Sequence, residues 1–464
     1  MSSRKLFIAI IAVFIVIVAG LSLTTYAGLI PFSETLLASV RSAASPVLSR
    51  SSVPDAAAIN KGERKPLAAV IVSPPVLDAA AWYAEREAEP ELHGVLIEAV
   101  DKKRVFASHN ADHAFNPASL TKLATTLVAL RKLGANFRFQ TNVFADGSVD
   151  SMGTLRGKLY VFGSDPTFGD AATNLIAEEL RARGIKRISD GVVVSPYFCF
   201  NFSDVPLEAA GRLARALNLG SMQTAVADQP VGQKMFVVEG NPLTDVLLYM
   251  NAHSNNLVAD RLCAETGGPE ALQHFLVNEL RLPQSDVYIE SASGLGRNRM
   301  TPRDMLSVIR ALIEETAHQG LRPEDILPVA NYDSSTIRHR FIGTGLEGAV
   351  IGKTGTLTTI DGGMASFAGI VYTANGGMIL FAIFDQGPRL WENRQFEDQL
   401  LAEAVATAAL PRLVIENKRS QESEVRSQNK TETKSTPRQL LPPSQLRINQ
   451  TARDYENQNQ AAGR

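Results

Sequence analysis

Asn116-Pro117-Ala118-Ser119-Leu120-Thr121-Lys122, followed by the run Leu123 to Leu130, is the stretch on which the reading of this chain turns. Pro117 disfavours helix for Asn116 and suits a chain about to turn. Beyond it, Leu120, Leu123, Leu127 and Leu130 recur at helical spacing. The spacing predicts a helix that begins near Ser119 and stops at Gly134. Lys122 then shares a helix face with Ser119, one turn on, so its ammonium can reach the hydroxyl. A serine beside a lysine, at the positive end of a helix dipole, can serve as nucleophile and base. The local pattern is cheap, because Ser2 to Lys5 and Ser427 to Lys430 also match it and an N-cap serine needs no chemistry.

Working outward, 464 residues suffice for two or more domains, and 45% apolar with 20% charged residues is ordinary for a globular protein. A net charge of −2 gives no argument for a nucleic-acid partner. Two cysteines, Cys199 and Cys263, could form one bridge in an oxidising compartment, or stay as buried thiols. The seven histidines are scattered singly, without Cys-x-x-Cys or His-Glu-x-x-His spacing, so neither a metal nor another cofactor is expected.

Arg4 and Lys5 precede an apolar run, Leu6 to Leu23, about long enough to span a bilayer. Residues 1–27 are therefore expected to be a signal anchor or signal peptide, with the remainder exported to the periplasm or envelope. Residues 28–80, rich in Pro, Ser and Ala, read as a flexible linker. Strand patterns at Gly94 to Val100 and Arg104 to Ser108 start the folded part. Short glycine-punctuated strands and a helix from about Ala172 to Arg183 predict a small α/β subdomain over 137–201. Helices follow at about Pro242 to Glu265, Pro269 to Leu280 and Pro302 to Thr316. Strand runs then come at Gly348 to Gly352, Gly363 to Tyr372 and Gly377 to Asp385, before a last helix from about Glu392 to Ala408. The tail, 412–464, is polar and expected to be disordered.

Two later motifs bear on Ser119. Ser254-Asn255-Asn256 precedes a helix, and Lys353-Thr354-Gly355-Thr356 ends a glycine-flanked strand. A helix-borne Ser-x-x-Lys, a loop Ser-x-Asn and a strand-borne Lys-Thr-Gly, in that order, are the layout of penicillin-binding proteins and serine β-lactamases. Further phrases are Phe115-Asn116-Pro117-Ala118-Ser119, Leu133-Gly134-Ala135-Asn136-Phe137-Arg138-Phe139-Gln140-Thr141, Gly163-Ser164-Asp165-Pro166-Thr167, and Ser293-Gly294-Leu295 with Thr301-Pro302. With these, residues 90 to 410 resemble the D-alanyl-D-alanine carboxypeptidase/endopeptidase family of low-molecular-mass class C penicillin-binding proteins, serine peptidase family S13. The segment Asp333-Ser334-Ser335-Thr336-Ile337 departs from the family's more usual Asp-Gly-Thr-Leu.

The resemblance implies a mixed α+β fold of the serine β-lactamase-like kind. An antiparallel sheet lies between helical layers, assembled from 81–136 and 202–411 and interrupted by the inserted subdomain. It implies peptidoglycan stem peptides as substrates, β-lactams as inhibitors, and an acyl-enzyme on Ser119. Lys122 is then the base, and Ser254 relays a proton to the leaving D-alanine. Asn256 holds the substrate's amide and the Lys122 side chain. Lys353 biases the cleft towards a terminal carboxylate, to which Thr354 and Thr356 donate hydroxyls. Gly355 permits close backbone approach, and the N–H groups of Ser119 and Thr356 form the oxyanion hole. Asp165 reads as a turn residue and Ser293-Gly294-Leu295 as a structural loop near the cleft. The competing functions are a β-lactamase, for which no deacylating Glu-x-x-Leu-Asn segment occurs between Lys122 and Lys353, and a non-catalytic peptidoglycan-binding protein.

Overall fold

A computed structural model describes residues 75–220, 223–406, 411–414 and 446–449. The expected anchor, and the linker as far as residue 74, lie outside the described residues. Among the described residues no helix is long and apolar enough to cross a membrane.

In chain order the strands are β1 (His93–Ala99), β2 (Val105–His109), β3 (Arg138–Ala145), β4 (Ser148–Val149), β5 (Thr154–Arg156), β6 (Lys158–Phe162) and β7 (Arg187–Ile188). They continue with β8 (Gly191–Val194), β9 (Thr224–Val226), β10 (Gln233–Pro242), β11 (Val350–Leu357), β12 (Met364–Tyr372), β13 (Met378–Gln386) and β14 (Arg447–Asn449). The main sheet is five-stranded and antiparallel, in the order β11-β12-β13-β1-β2. Successive side chains of a strand point to opposite faces, and here both faces are buried. Leu96, Ile351, Ala368 and Phe384 join the core beneath the helix Thr121–Leu133. Their strand neighbours Val95, Ile97, Phe367 and Ile383 join a second core with the helices Ala79–Ala84 and Leu390–Ala406. The sheet is thus held between helical layers, the α+β architecture expected from the sequence.

The helix Thr121–Leu133 is buried on every side from Thr121 to Leu130, as befits the middle of a layer. Each fully buried leucine contributes about 2 kcal/mol. Gly134, at φ +82°, stops the helix, its N–H bonding to the Leu130 carbonyl. The helix Pro302–His318 packs alongside, started by a capping box between Thr301 and Asp304.

The inserted subdomain is larger than the expected 137–201. Its main sheet runs β14-β10-β3-β6-β8-β9, so the insertion returns to the helical layer only at Leu243. β10 pairs antiparallel with β3, and this closes the insertion on itself. Helices Asp170–Ala182 and Pro206–Leu217 cover its core. Two short pieces of the expected tail, 412–414 and 446–449, are among the described residues. β14 adds to the outer edge of β10, with Ile448 against the subdomain core, and Val414 is buried with its N–H bonded to the Gly348 carbonyl. Cys199 and Cys263 are separate buried thiols.

Candidate active site

Ser119 lies in a short 3-10 turn, Ala118–Leu120, that feeds the helix Thr121–Leu133. Its hydroxyl does not cap that helix; it donates to the Ser293 carbonyl at 3.3 Å. Ala118, just before it, has φ +50°, a left-handed conformation costing a non-glycine residue about 1–2 kcal/mol. Contacts from several sides hold the turn there. Asn116 Oδ1 accepts from the Ala118 N–H, while its Nδ2 donates to the Gly296 carbonyl and to Asp361. Arg299 grips Asp361 with two bonds of 3.0 Å. Burial works to raise the Asp361 carboxyl, but its Asn116 and Arg299 donors outweigh burial and hold it below its ordinary value. Ser366 of β12 donates to the Pro117 carbonyl at 3.0 Å.

Lys122 is completely buried. Its Nζ donates to Ser119 Oγ at 3.0 Å, to Asn256 Oδ1 at 2.8 Å, and to the Ser293 carbonyl. Burial draws its pKa down to about 7, with the Asp260 carboxylate pulling the other way. Asp260 also accepts from the Ser293 N–H at 3.1 Å, so one side chain steadies the loop that receives both Ser119 and Lys122. Asn298 ties that loop together, accepting from Glu290 and Ser291 and donating to Thr121.

The Ser-x-Asn motif sits where the helix Leu243–His253 stops and the helix Asn256–Glu265 starts. Ser254 is the break, at φ +53°. Asn255 Oδ1 caps the second helix by accepting from the Val258 N–H, and Asn256 turns to Lys122. Ser254 is partly buried, and its hydroxyl forms no hydrogen bond among the described residues. The structure thus bonds Ser119, Lys122 and Asn256 into one group and leaves Ser254 unbonded beside it.

Lys353-Thr354-Gly355-Thr356 lies inside β11, not at its end. Lys353 is completely buried and donates to the Thr354 carbonyl at 2.6 Å. Burial, and then the charge of Lys122, hold its pKa well below the ordinary value. A Cβ at Gly355 would lie 2.2 Å from Ser366 Oγ, 2.8 Å from the Pro117 carbonyl and 2.9 Å from Ala118 Cβ. Only glycine lets β11 pack this closely on the Ser119 turn. Thr354 donates to Thr336 at 2.8 Å, and Thr356 donates to the Gly355 carbonyl and accepts from Arg394, each at 2.8 Å.

Asp165 is buried in the subdomain. Burial raises its carboxyl to about 6, against the N–H and hydroxyl of Thr167 that it accepts. It closes a turn, as its sequence context predicts. Ser293, Asp260, Asp361, Ser366 and Arg394 carry no motif of their own; the Ser293-Gly294-Leu295 phrase is the one sequence sign of the first of them.

A buried, weakly basic amine bonded to a serine oxygen can take that oxygen's proton as it attacks a carbonyl. Carboxypeptidase DacB of Mycolicibacterium smegmatis is 26% identical over 310 residues, 52% of this chain and 66% of its own length. Penicillin-sensitive carboxypeptidase A of Dictyostelium discoideum is 29% identical over 140 residues, 28% of this chain and 27% of its own length. The chain thus spans less than two thirds of either curated relative. Penicillin binding protein 4 (dacB) from Haemophilus influenzae shares the fold, with TM-score 0.55 and 21% identity over 66% of this chain and 96% of that one. So does a predatory peptidoglycan endopeptidase from Bdellovibrio bacteriovorus, with TM-score 0.55 and 22% identity over 76% of this chain and 98% of that one. The model described as the D-Ala-D-Ala carboxypeptidase 3 (S13) family matches residues 78–200 and 200–407, which take in the Ser119 turn, the insertion and the β11 motif, and the chain belongs to that family.

Proposed function

We propose that the chain is a serine D-Ala-D-Ala carboxypeptidase/endopeptidase that acts on peptidoglycan stem peptides through an acyl-enzyme on Ser119. The observation that carries this reading is the 3.0 Å bond between Ser119 Oγ and a fully buried Lys122 whose pKa is drawn down to about 7. Neutral Lys122 takes the hydroxyl proton while Ser119 Oγ adds to the carbonyl of the penultimate D-alanine. Charge developing on that carbonyl oxygen meets the backbone N–H groups of Ser119 and Thr356; such a donor is worth about 3 kcal/mol. The tetrahedral adduct collapses as the C–N bond breaks, and the proton passes by way of Ser254 to the departing amine. Water, deprotonated by the same base, then hydrolyses the ester. Asn256 orients both Lys122 and the peptide.

β-Lactams enter the same acylation. The Haemophilus protein has been solved with a β-lactam, and the Bdellovibrio endopeptidase acylated by penicillin G. Among the described residues no carboxylate hydrogen-bonds Ser119 or Lys122. A long-lived adduct is therefore expected here in place of rapid β-lactam turnover. We place the domain on the outer side of the inner membrane, held by residues 1–27; the basic pair Arg4 and Lys5 before the apolar run Leu6 to Leu23 supports this.

Digesting purified muropeptides and identifying the products by mass spectrometry tests the activity. Loss of one terminal alanine from pentapeptides marks the carboxypeptidase, and conversion of cross-linked dimers to monomers marks the endopeptidase. Unchanged muropeptides would overturn the proposal.

The buried lysine also sets a pH dependence. The reactive form is the neutral amine, so acylation rises with pH through the Lys122 pKa. With that pKa at about 7, the second-order rate of penicillin acylation is expected to rise about tenfold from pH 6 to pH 8. Stopped-flow measurement with a fluorescent penicillin checks this, and a flat profile over that range would remove Lys122 as the base.

A further inference from the structure

The substrate of the proposed reaction ends in a carboxylate, and the sequence points to Lys353 as the charge that attracts it. The structure buries Lys353 completely. Its ammonium donates to the Thr354 carbonyl, on the same side of the sheet as Lys122.

The two threonines of the motif project from the opposite face of β11. Burial alternates along the strand: Lys353 and Gly355 are buried, Thr354 and Thr356 partly exposed. Lys353 is registered against Ala368, whose side chain joins the core under the Ser119 helix. Thr354 is registered against Phe367, which joins the core under the helix Leu390–Ala406. That second helix delivers Arg394. Its guanidinium is exposed and donates from Nη2 to Thr356 Oγ1 at 2.8 Å.

Arg394 also lacks a counter-charge. Of the four acids on its own helix, Glu397 and Asp398 are taken by Arg340, which further donates to the Arg394 carbonyl, Glu392 pairs with Arg389, and Glu403 is held by Arg86 and Trp82. Among the described residues no carboxylate lies within ion-pair distance of Arg394. An arginine anchored at one nitrogen, unpaired and open to solvent, beside a hydroxyl on the strand that flanks the nucleophile, is a built receptor for a carboxylate. Resting on the peptidase reading above, we propose that Arg394, beside Thr356, is a specificity-determining contact for the terminal carboxylate of the substrate, in addition to the role the sequence suggests for Lys353.

The test compares an acylated D-alanyl-D-alanine peptide with the same peptide ending in a carboxamide, using the full chain and its R394Q and R394K variants. Wild type is expected to prefer the acid. R394Q should lower kcat/KM on the acid about 10- to 100-fold, mainly through KM, and leave the amide within about twofold. R394K, which keeps charge but loses the fork, should fall between. An acid-to-amide preference in R394Q equal to that of wild type, or equal losses on both peptides, would overturn the assignment. A wild type that hydrolyses neither peptide and takes up no penicillin label would overturn the peptidase reading and this one with it. Penicillin labelling of wild type without an acid-to-amide preference would overturn only the role of Arg394.

Discussion

Ser119→Ala is expected to abolish covalent labelling by penicillin and to cut peptide turnover by at least about 10⁴-fold. The variant removes the one atom that forms the acyl bond, so what remains is the slow attack of water on a bound peptide. The fold should survive. Lys122 loses one of its acceptors and keeps Asn256 Oδ1 and the Ser293 carbonyl, a change of about 1 kcal/mol in stability. Lys122→Met should be nearly as inactive, because a serine without its base is a poor nucleophile. The double variant should be hardly worse than either single, since the two act as one unit. Intact-mass measurement after incubation with penicillin decides the matter. A penicillin-sized mass increase on Ser119→Ala would place the nucleophile elsewhere, whatever the geometry at Lys122.

The residues legible in the sequence are those whose side-chain chemistry repeats at short spacing. Ser119 and Lys122 stand three apart on a helix whose leucine spacing is plain. Asn256 sits where a helix restarts, and Gly355 in a strand with glycine near it. What stays hidden depends on partners distant in sequence. Ser293 acts through its main-chain carbonyl, which any residue could supply, so no residue type marks it. Arg394 belongs to a helix on the far side of the sheet, and only the register of β11 brings Thr356 to it. The end of the insertion is illegible for the same reason: β10 acquires its meaning by pairing with β3, across the whole length of the subdomain. β14 is three residues in a polar tail, too short to show a period. Ser254 is the converse case. Its motif is legible, yet the structure leaves the hydroxyl unbonded, because a motif fixes a backbone position and not a rotamer.

Gly294→Ala is expected to lower the acylation rate by about 10²-fold or more, although Gly294 carries no reactive atom. Its φ is +85°, where alanine is strained by about 1–2 kcal/mol. Steric overlap weighs more than this strain. A Cβ there would lie 2.0 Å from the Ala118 carbonyl oxygen and 2.8 Å from the Ser119 nitrogen. Both are backbone atoms of the nucleophile's own turn, so no side chain can rotate aside. Either the turn or the loop must move, and the loop carries the Ser293 carbonyl that receives Ser119 and Lys122 together. A shift of about 1 Å misaligns oxygen and amine at once, and that alone can cost about 10²-fold. Gly296, two residues on, supplies the control. It lacks a positive φ, and the three atoms nearest an added Cβ would all belong to the Glu290 side chain, at 3.1–3.2 Å. Gly296→Ala should therefore acylate within about threefold of wild type. Measuring both below their melting transitions separates loss of fold from loss of alignment. Equal acylation rates for the two variants would show that the Ser293 loop does not position the nucleophile.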